Sequence, residues 1–365
     1  MPPLINQPNG LFVTPNGEIF IAEPGNDRVR KILRCCNNRE STVTICGTGI
    51  SGYNGDDQPA TSAQLDHPIS VFVSSRNEVY ISEFYGNRIR KILSNGNIVT
   101  VVGTGVEGYN GDGILASSAM VHHPSGLFVT EDGDELYFAD RENHRIRMVG
   151  RDGVIRTVAG IETNGYDGDG GLALNAQLCC PSGVCIYKSN MYICDNGSHR
   201  IRKVDSNGII STIVGETRSG CGGDGGLATS ARLNSPWDFT IFNDELYIAD
   251  FYNQKVRKVL RDGTITTIAG TGEQGYNGDG QLATSSQLNH PAGVFVMCDG
   301  CVLIAESYGS RIRKINRNGI ISTMAGDGTH GYSGDIPFDI KKYPHIGTRK
   351  IIQPFPKAYF DLVFK

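Results

Sequence analysis

One phrase recurs five times along this chain, and a chain that repeats a phrase at such spacing has to stack similar units. The clearest copy is Gly275-Tyr276-Asn277-Gly278-Asp279-Gly280, followed by Leu282-Ala283, Leu288 and Pro291. In each copy the Asp is followed twelve residues later by a Pro: Asp56/Pro68, Asp112/Pro124, Asp169/Pro181, Asp224/Pro236 and Asp279/Pro291. A degraded sixth copy ends at Asp335 and lacks that Pro. The stretch from each Pro to the next Asp varies in length, so the Asp-to-Pro segment is the rigid part and the remainder tolerates loop changes. A fixed period of this length marks supersecondary units stacked on one another.

Within a period the grammar is constant. A short apolar run such as Leu11-Phe12-Val13 leads through a polar turn to a second run that ends in an acid, Ile19-Phe20-Ile21-Ala22-Glu23. A tight turn then leads to a basic alternating run, Arg88-Ile89-Arg90-Lys91-Ile92 in the second unit, and another turn to a fourth run, Ile98-Val99-Thr100-Val101-Val102. Short β-branched runs bounded by Gly, Asn and Asp are strand and hairpin signals. Four antiparallel strands repeated six times predict an all-β, six-bladed β-propeller. It is expected over 7–335, with blades starting near 8, 68, 124, 181, 236 and 291. A β-solenoid would need far shorter coils. Ala pairs such as Ala116/Ala119, Ala173/Ala176 and Ala228/Ala231 predict a short helical crossover of one to two turns, capped by the preceding Asp. The tail 336–365 is expected to pack on the propeller and buttress the seam between the last and first blades.

Composition narrows the function classes. With 34 basic against 38 acidic side chains, the net charge of −4 gives no support to broad polyanion binding. No apolar run reaches the length of a membrane span. The start Met1-Pro2-Pro3 has no signal-peptide pattern, which weakly favours the cytoplasm and leaves localisation open, and a monomer is expected. The ten Cys fall off the repeat frame, so they read as reduced structural thiols rather than a disulfide or zinc array. Cys298 and Cys301 flank an Asp-Gly turn, and Cys35-Cys36 and Cys179-Cys180 are vicinal loop thiols.

Ala249-Asp250 through Lys258, with Gly275 through Val294, resembles the NHL-repeat family, and the likeness extends over roughly 7–335. The crossover wording is similar to that of NHL arrays in bacterial, protist and teneurin proteins. The resemblance implies a six-bladed propeller. It implies mostly protein- or RNA-binding platforms, with a minority of enzymes such as peptidyl-α-hydroxyglycine lyase.

Several recurring groups invite functional readings. Each unit carries an acid–base pair at a spacing of five: Glu23/Arg28, Glu83/Arg88, Asp140/Arg145, Asp195/Arg200, Asp250/Lys255 and Glu306/Arg311. A ring of carboxylates holding calcium is one reading. Salt bridges that fix each turn are the favoured one, because such residues are cross-strand neighbours and sixfold identity suits architecture better than catalysis. The Arg two further on (Arg30, Arg90, Arg147, Arg202, Arg257, Arg313) lies mid-strand and is expected to be buried rather than to form a nucleic-acid stripe. The Gly-Asp loops carry one or two acids each, too few for the roughly six to eight oxygens of a calcium site. His67, His123 and His290 stand just before the Pro and are candidates for the channel mouth, where three imidazoles could hold zinc. The lyase relatives carry His just after that Pro, where this chain has Asn9, Ile69, Ser125, Ser182, Trp237 and Ala292.

Residues that break the repeat are the better candidates for recognition. Phe84, Tyr85, Phe251, Tyr252, Tyr308, Trp237 and Asp238 are placed on the crossover face, four of these aromatics in one patch on blades 5 and 6. No catalytic set, metal site or cofactor is expected from the motifs, calcium being the ion left open as a cofactor. The expectation is a non-enzymatic scaffold for a protein or peptide, with no identifiable small-molecule substrate. The alternatives are a channel-site, metal-dependent lactonase or lyase and single-stranded RNA binding.

Overall fold

The structure, a computed structural model, describes residues 3–34, 40–333 and 335. The expected tail, 336–365, and the thiols Cys35 and Cys36 lie outside the described residues.

Six antiparallel sheets follow one another along the chain, each built from four consecutive strands. Leu11–Val13, Pro68–Val73, Pro124–Val129, Gly183–Tyr187, Pro236–Phe242 and Pro291–Val296 are the inner strands. Their residues line a central channel. The protein is thus a six-bladed β-propeller. The second blade gains a fifth strand, Gln58–Pro59, paired on its outer edge with Asn97–Val102. Turn chemistry sets the hairpins: Asn243 and Asp244 both adopt positive φ, which lets a two-residue connection match the twist of its strands. Apolar faces of successive sheets pack together, with Ile81, Phe138, Ile193, Ile248 and Ile304 fully buried.

The crossovers differ from expectation. Each contains a single 3-10 turn, Ala60–Ser62, Ala116–Ser118, Ala173–Asn175, Ala228–Ser230 or Ala283–Ser285, and none is capped by a side chain. The Ala pair three apart still buries both methyl groups, because such residues eclipse in a 3-10 turn.

The repeated Asp has another task. Arg30, Arg90, Arg147, Arg202, Arg257 and Arg313 are 0% exposed and, among the described residues, are the largest fully buried side chains. Each pairs with two carboxylates. One belongs to the preceding crossover: Asp335, Asp56, Asp112, Asp169, Asp224 and Asp279, at 2.7–3.0 Å. The other ends the neighbouring strand: Glu23, Glu83, Asp140, Asp195, Asp250 and Glu306, at 3.0–3.5 Å. The crossover is thereby locked to the blade that follows it, which explains the invariant Asp-to-Pro length. Loss of one partner from such a buried pair costs about 3–5 kcal/mol.

The expected pairs at a spacing of five are cross-strand neighbours in register, as at Glu23↔Arg28 and Asp250↔Lys255, but the acids bond the arginine two further on. Arg28, Arg88, Arg145, Arg200 and Arg311 instead lie over the crossover tyrosines Tyr332, Tyr53, Tyr109, Tyr166 and Tyr276 at 3.8–4.3 Å. Blade 5 lacks both partners of this stack, with Cys221 at the Tyr position and Lys255 at the Arg position.

Ring closure uses the same parts. Asp335 of the degraded sixth phrase binds Arg30 and accepts from Thr44 N at 3.0 Å, so it docks on blade 1 as every other crossover docks on its successor. Gly326 N also donates to Pro3 O, and Leu4 N to Ser333 Oγ, at 3.1 Å each.

Candidate functional site

The face that carries the turns between second and third strands has a rim of unusual backbone. Gln7, His67, His123, Cys180, Ser235 and His290, the residues before the inner-strand prolines or their equivalents, all have φ between 46° and 56°. Non-glycine residues seldom adopt this region, and six in register mean that the surrounding structure enforces it. Each backbone N–H there is held by a side chain from the previous blade's turn. His67 donates to Asp27 Oδ1, His123 to Asn87 Oδ1, Cys180 to His144 Nδ1, Ser235 to His199 Nδ1 and His290 to Gln254 Oε1, at 2.6–3.3 Å. Gln7 closes the ring on Ser310 Oγ at 3.5 Å. Six acceptors of five residue types thus make one interblade clasp.

Two aromatic posts rise from this rim, on blades 2 and 5, opposite each other in the ring. In the first, Phe84 stacks on His123 at 4.3 Å and 16°, and Tyr85 leans on His67 at 4.6 Å. In the second, Phe251 is buried between Trp237 at 5.4 Å, Tyr252 at 5.0 Å, His290 at 4.8 Å and Tyr308 at 6.2 Å. Tyr85, Tyr252 and Tyr308 remain more than half exposed while their neighbours hold the rings in place. Burial lowers the pKa of His67, His123 and His290, which keeps these rings neutral. The three histidines stand in the posts rather than as a set around the channel, whose lining does not include them.

The channel holds a cavity of about 110 Å³. Phe12, Phe72, Phe128 and Phe295 crowd into it, with ring centroids 4.7–5.7 Å apart. At its mouth Trp237 donates from its indole nitrogen to Asn9 Oδ1 at 3.0 Å, and the Arg141 guanidinium lies 4.9 Å from its ring. Trp237 therefore joins blade 5 to blades 1 and 3. Asp238 also lines the channel. Five of the six equivalent positions are Gly10, Ser70, Gly126, Gly183 and Gly293, at a place where a Cβ on Gly126 would lie 2.6 Å from Ser182 O. Asp238 reaches Val294 N at 3.3 Å, and burial pushes its carboxyl up to about 7. Among the described residues it has no cationic partner.

The structure brings Trp237, Phe251, Tyr252 and Tyr308 into one group, with Phe251 as its buried hub. The sequence did not find Asn9 and Arg141. Arg141 had a signal, since it replaces Pro24, Phe84, Asn196, Phe251 and Ser307 at the first turn position.

The sequence model of the Teneurin NHL domain matches residues 163–220 and 271–343. "Protein SUPPRESSOR OF QUENCHING 1, chloroplastic" of Arabidopsis thaliana is 26% identical over 299 residues, covering 75% of this chain and 27% of that protein. NHL repeat-containing protein 2 of Gallus gallus is 25% identical over 284 residues, covering 69% of this chain and 38% of that protein. The chain thus spans well under half the length of these curated relatives. Among solved structures, the virginiamycin B lyase of Staphylococcus aureus superposes with a TM-score of 0.51 at 18% identity, covering 88% of this chain and 85% of that one. At that identity the likeness concerns the fold.

Proposed function

We propose that this chain, an NHL-repeat propeller, is a binding platform that holds a segment of a protein or peptide across its turn face, between the two aromatic posts. The observation that carries the reading is the pair of rigid, half-exposed tyrosine clusters built from residues the repeat does not require. Tyrosines held in one rotamer lose little entropy on binding, which is what interface anchors need. The test is selection of peptides from a displayed library on the immobilised propeller. Selected peptides should bind Tyr252→Ala/Tyr308→Ala at least ~10-fold more weakly, and Leu227→Ala, on an exposed crossover, unchanged. Ligands indifferent to both posts defeat the reading, and affinity for single-stranded RNA that falls steeply with salt would replace it.

A second reading places proton-transfer chemistry in the channel. Asp238 supports it, because a carboxyl near 7 is matched to acid–base work at neutral pH. Turnover of a lactone or an elimination substrate that vanishes in Asp238→Asn would favour this reading over the platform.

A further inference from the structure

The crossover from blade 2 to blade 3 ends differently from the others. At the two positions before the inner-strand proline, the units carry Asn6-Gln7, Asp66-His67, His122-His123, Cys179-Cys180, Asn234-Ser235 and Asn289-His290. Only the third has two imidazoles. In extended backbone, successive side chains point to opposite sides. The left-handed conformation of His123, φ 52°, breaks that alternation, and the two rings come within 4.6 Å of each other. Glu107, on the loop that opens the same crossover, brings its Oε2 to 3.6 Å from His122 Nε2. One donor atom from each of the three side chains lies within 4.8 Å of the others.

The fold does not need these ring nitrogens. His122 and His123 are anchored by their backbone N–H groups, to Asp140 Oδ1 at 2.8 Å and Asn87 Oδ1 at 3.0 Å. Among the described residues neither ring makes a hydrogen bond. His123 is instead oriented by its stack on Phe84, while Glu107 is 68% exposed and free to adjust. Donors of a four-coordinate zinc site stand about 3.3 Å apart, given metal–ligand distances near 2.0–2.1 Å. The three donor atoms, within 4.8 Å of one another and 3.6 Å apart for Glu107 and His122, would have to draw somewhat closer around an ion.

We propose that Glu107, His122 and His123 form a site for a late first-row divalent cation on the rim between blades 2 and 3. Two imidazoles and one carboxylate suit zinc, cobalt, nickel or copper, and are a poor set for calcium or magnesium, which take oxygen ligands. Three protein ligands leave at least one coordination position for water or for a group brought by a partner. The site borders the Phe84–Tyr85 post, so a bound ion would add a directional, charged contact to an aromatic one.

The experiment titrates the full chain with Zn2+ by calorimetry and with Co2+ by visible absorption. The expected result is one ion per chain, with Co2+ bands of nitrogen and oxygen ligation and no thiolate charge-transfer band. His122→Asn installs the residue carried by blades 1, 5 and 6, and Glu107→Gln alters only an exposed loop. Each should weaken Zn2+ binding at least ~10-fold while the melting temperature of the metal-free protein stays put. Cys179→Ser/Cys180→Ser should bind as the wild type does. The proposal is overturned by an absence of stoichiometric binding, by binding that survives both His122→Asn and Glu107→Gln, or by a thiolate band that disappears with the cysteines. If His122→Asn does not fold, Glu107→Gln decides alone.

Discussion

The indole nitrogen of Trp237 bonds the side-chain oxygen of Asn9 at 3.0 Å, although the two residues lie 228 positions apart and two blades apart in the ring. Trp237 is the one tryptophan of the chain, so tryptophan fluorescence reports the surroundings of this side chain alone. Asn9→Ala leaves the indole donor without its partner. It should destabilise the protein by about 1–3 kcal/mol and make Trp237 emission more accessible to acrylamide quenching. Unchanged quenching would show that the mouth is held in some other way.

The buried arginines distinguish the two offsets. Asp250→Ala strands Arg257 with Asp224 as its remaining carboxylate and should cost about 3–5 kcal/mol in urea unfolding. Lys255→Ala removes the register neighbour of Asp250, which makes no ion pair with it, and should cost less than about 1 kcal/mol. Equal losses would restore the shorter spacing as the structural pair.

Acid should loosen the clasp between blades 4 and 5. His199 accepts from Ser235 N through Nδ1, which is possible only while that nitrogen is unprotonated, and burial lowers its pKa below 6.5. The unfolded chain therefore takes up a proton first. The stabilisation is complete above pH 6.5 and is lost as the pH falls through the folded-state value. His199→Asn, which supplies the amide acceptor that Asn87 provides in blade 2, should flatten the stability profile between pH 7.5 and 5 in chemical unfolding.

Asp238 works with the opposite sign. Its carboxyl is raised from 3.8 to about 7, so the folded state holds a proton that the unfolded state releases. That contribution is present below pH 3.8 and lost as the pH rises through 7. Asp238→Asn should therefore melt above the wild type at pH 8, with the gap closing toward pH 4. A variant that melts lower at pH 8 would mean that the Val294 contact outweighs the burial of the charge.

Blade number, strand grammar and the neighbouring aromatics were legible because each depends on residues close in sequence or on the repeat itself. Phe251 and Tyr252 share one turn, and Tyr308 and His290 fall on the next blade at the same level. The ion pairs were misjudged by two residues along the strand. Glu23 faces Arg28 across the turn, but an arginine side chain is long enough to take the diagonal partner, so the carboxylate goes to Arg30. Arg28, nearer the turn, lies over Tyr332. The crossover Asp was assigned to a helix that is only one 3-10 turn long, and so its arginine was missed. The Trp237–Asn9 bond was out of reach, since it depends on the width of the closed ring.

Because Asp335 grips Arg30 as each crossover Asp grips the blade after it, the hereditary module of this protein is a phrase plus its following sheet rather than the sheet alone. Duplications and deletions cut at the start of the phrase keep every buried guanidinium supplied with both carboxylates. The circle is fastened at its seam by the same ionic latch that joins its other blades.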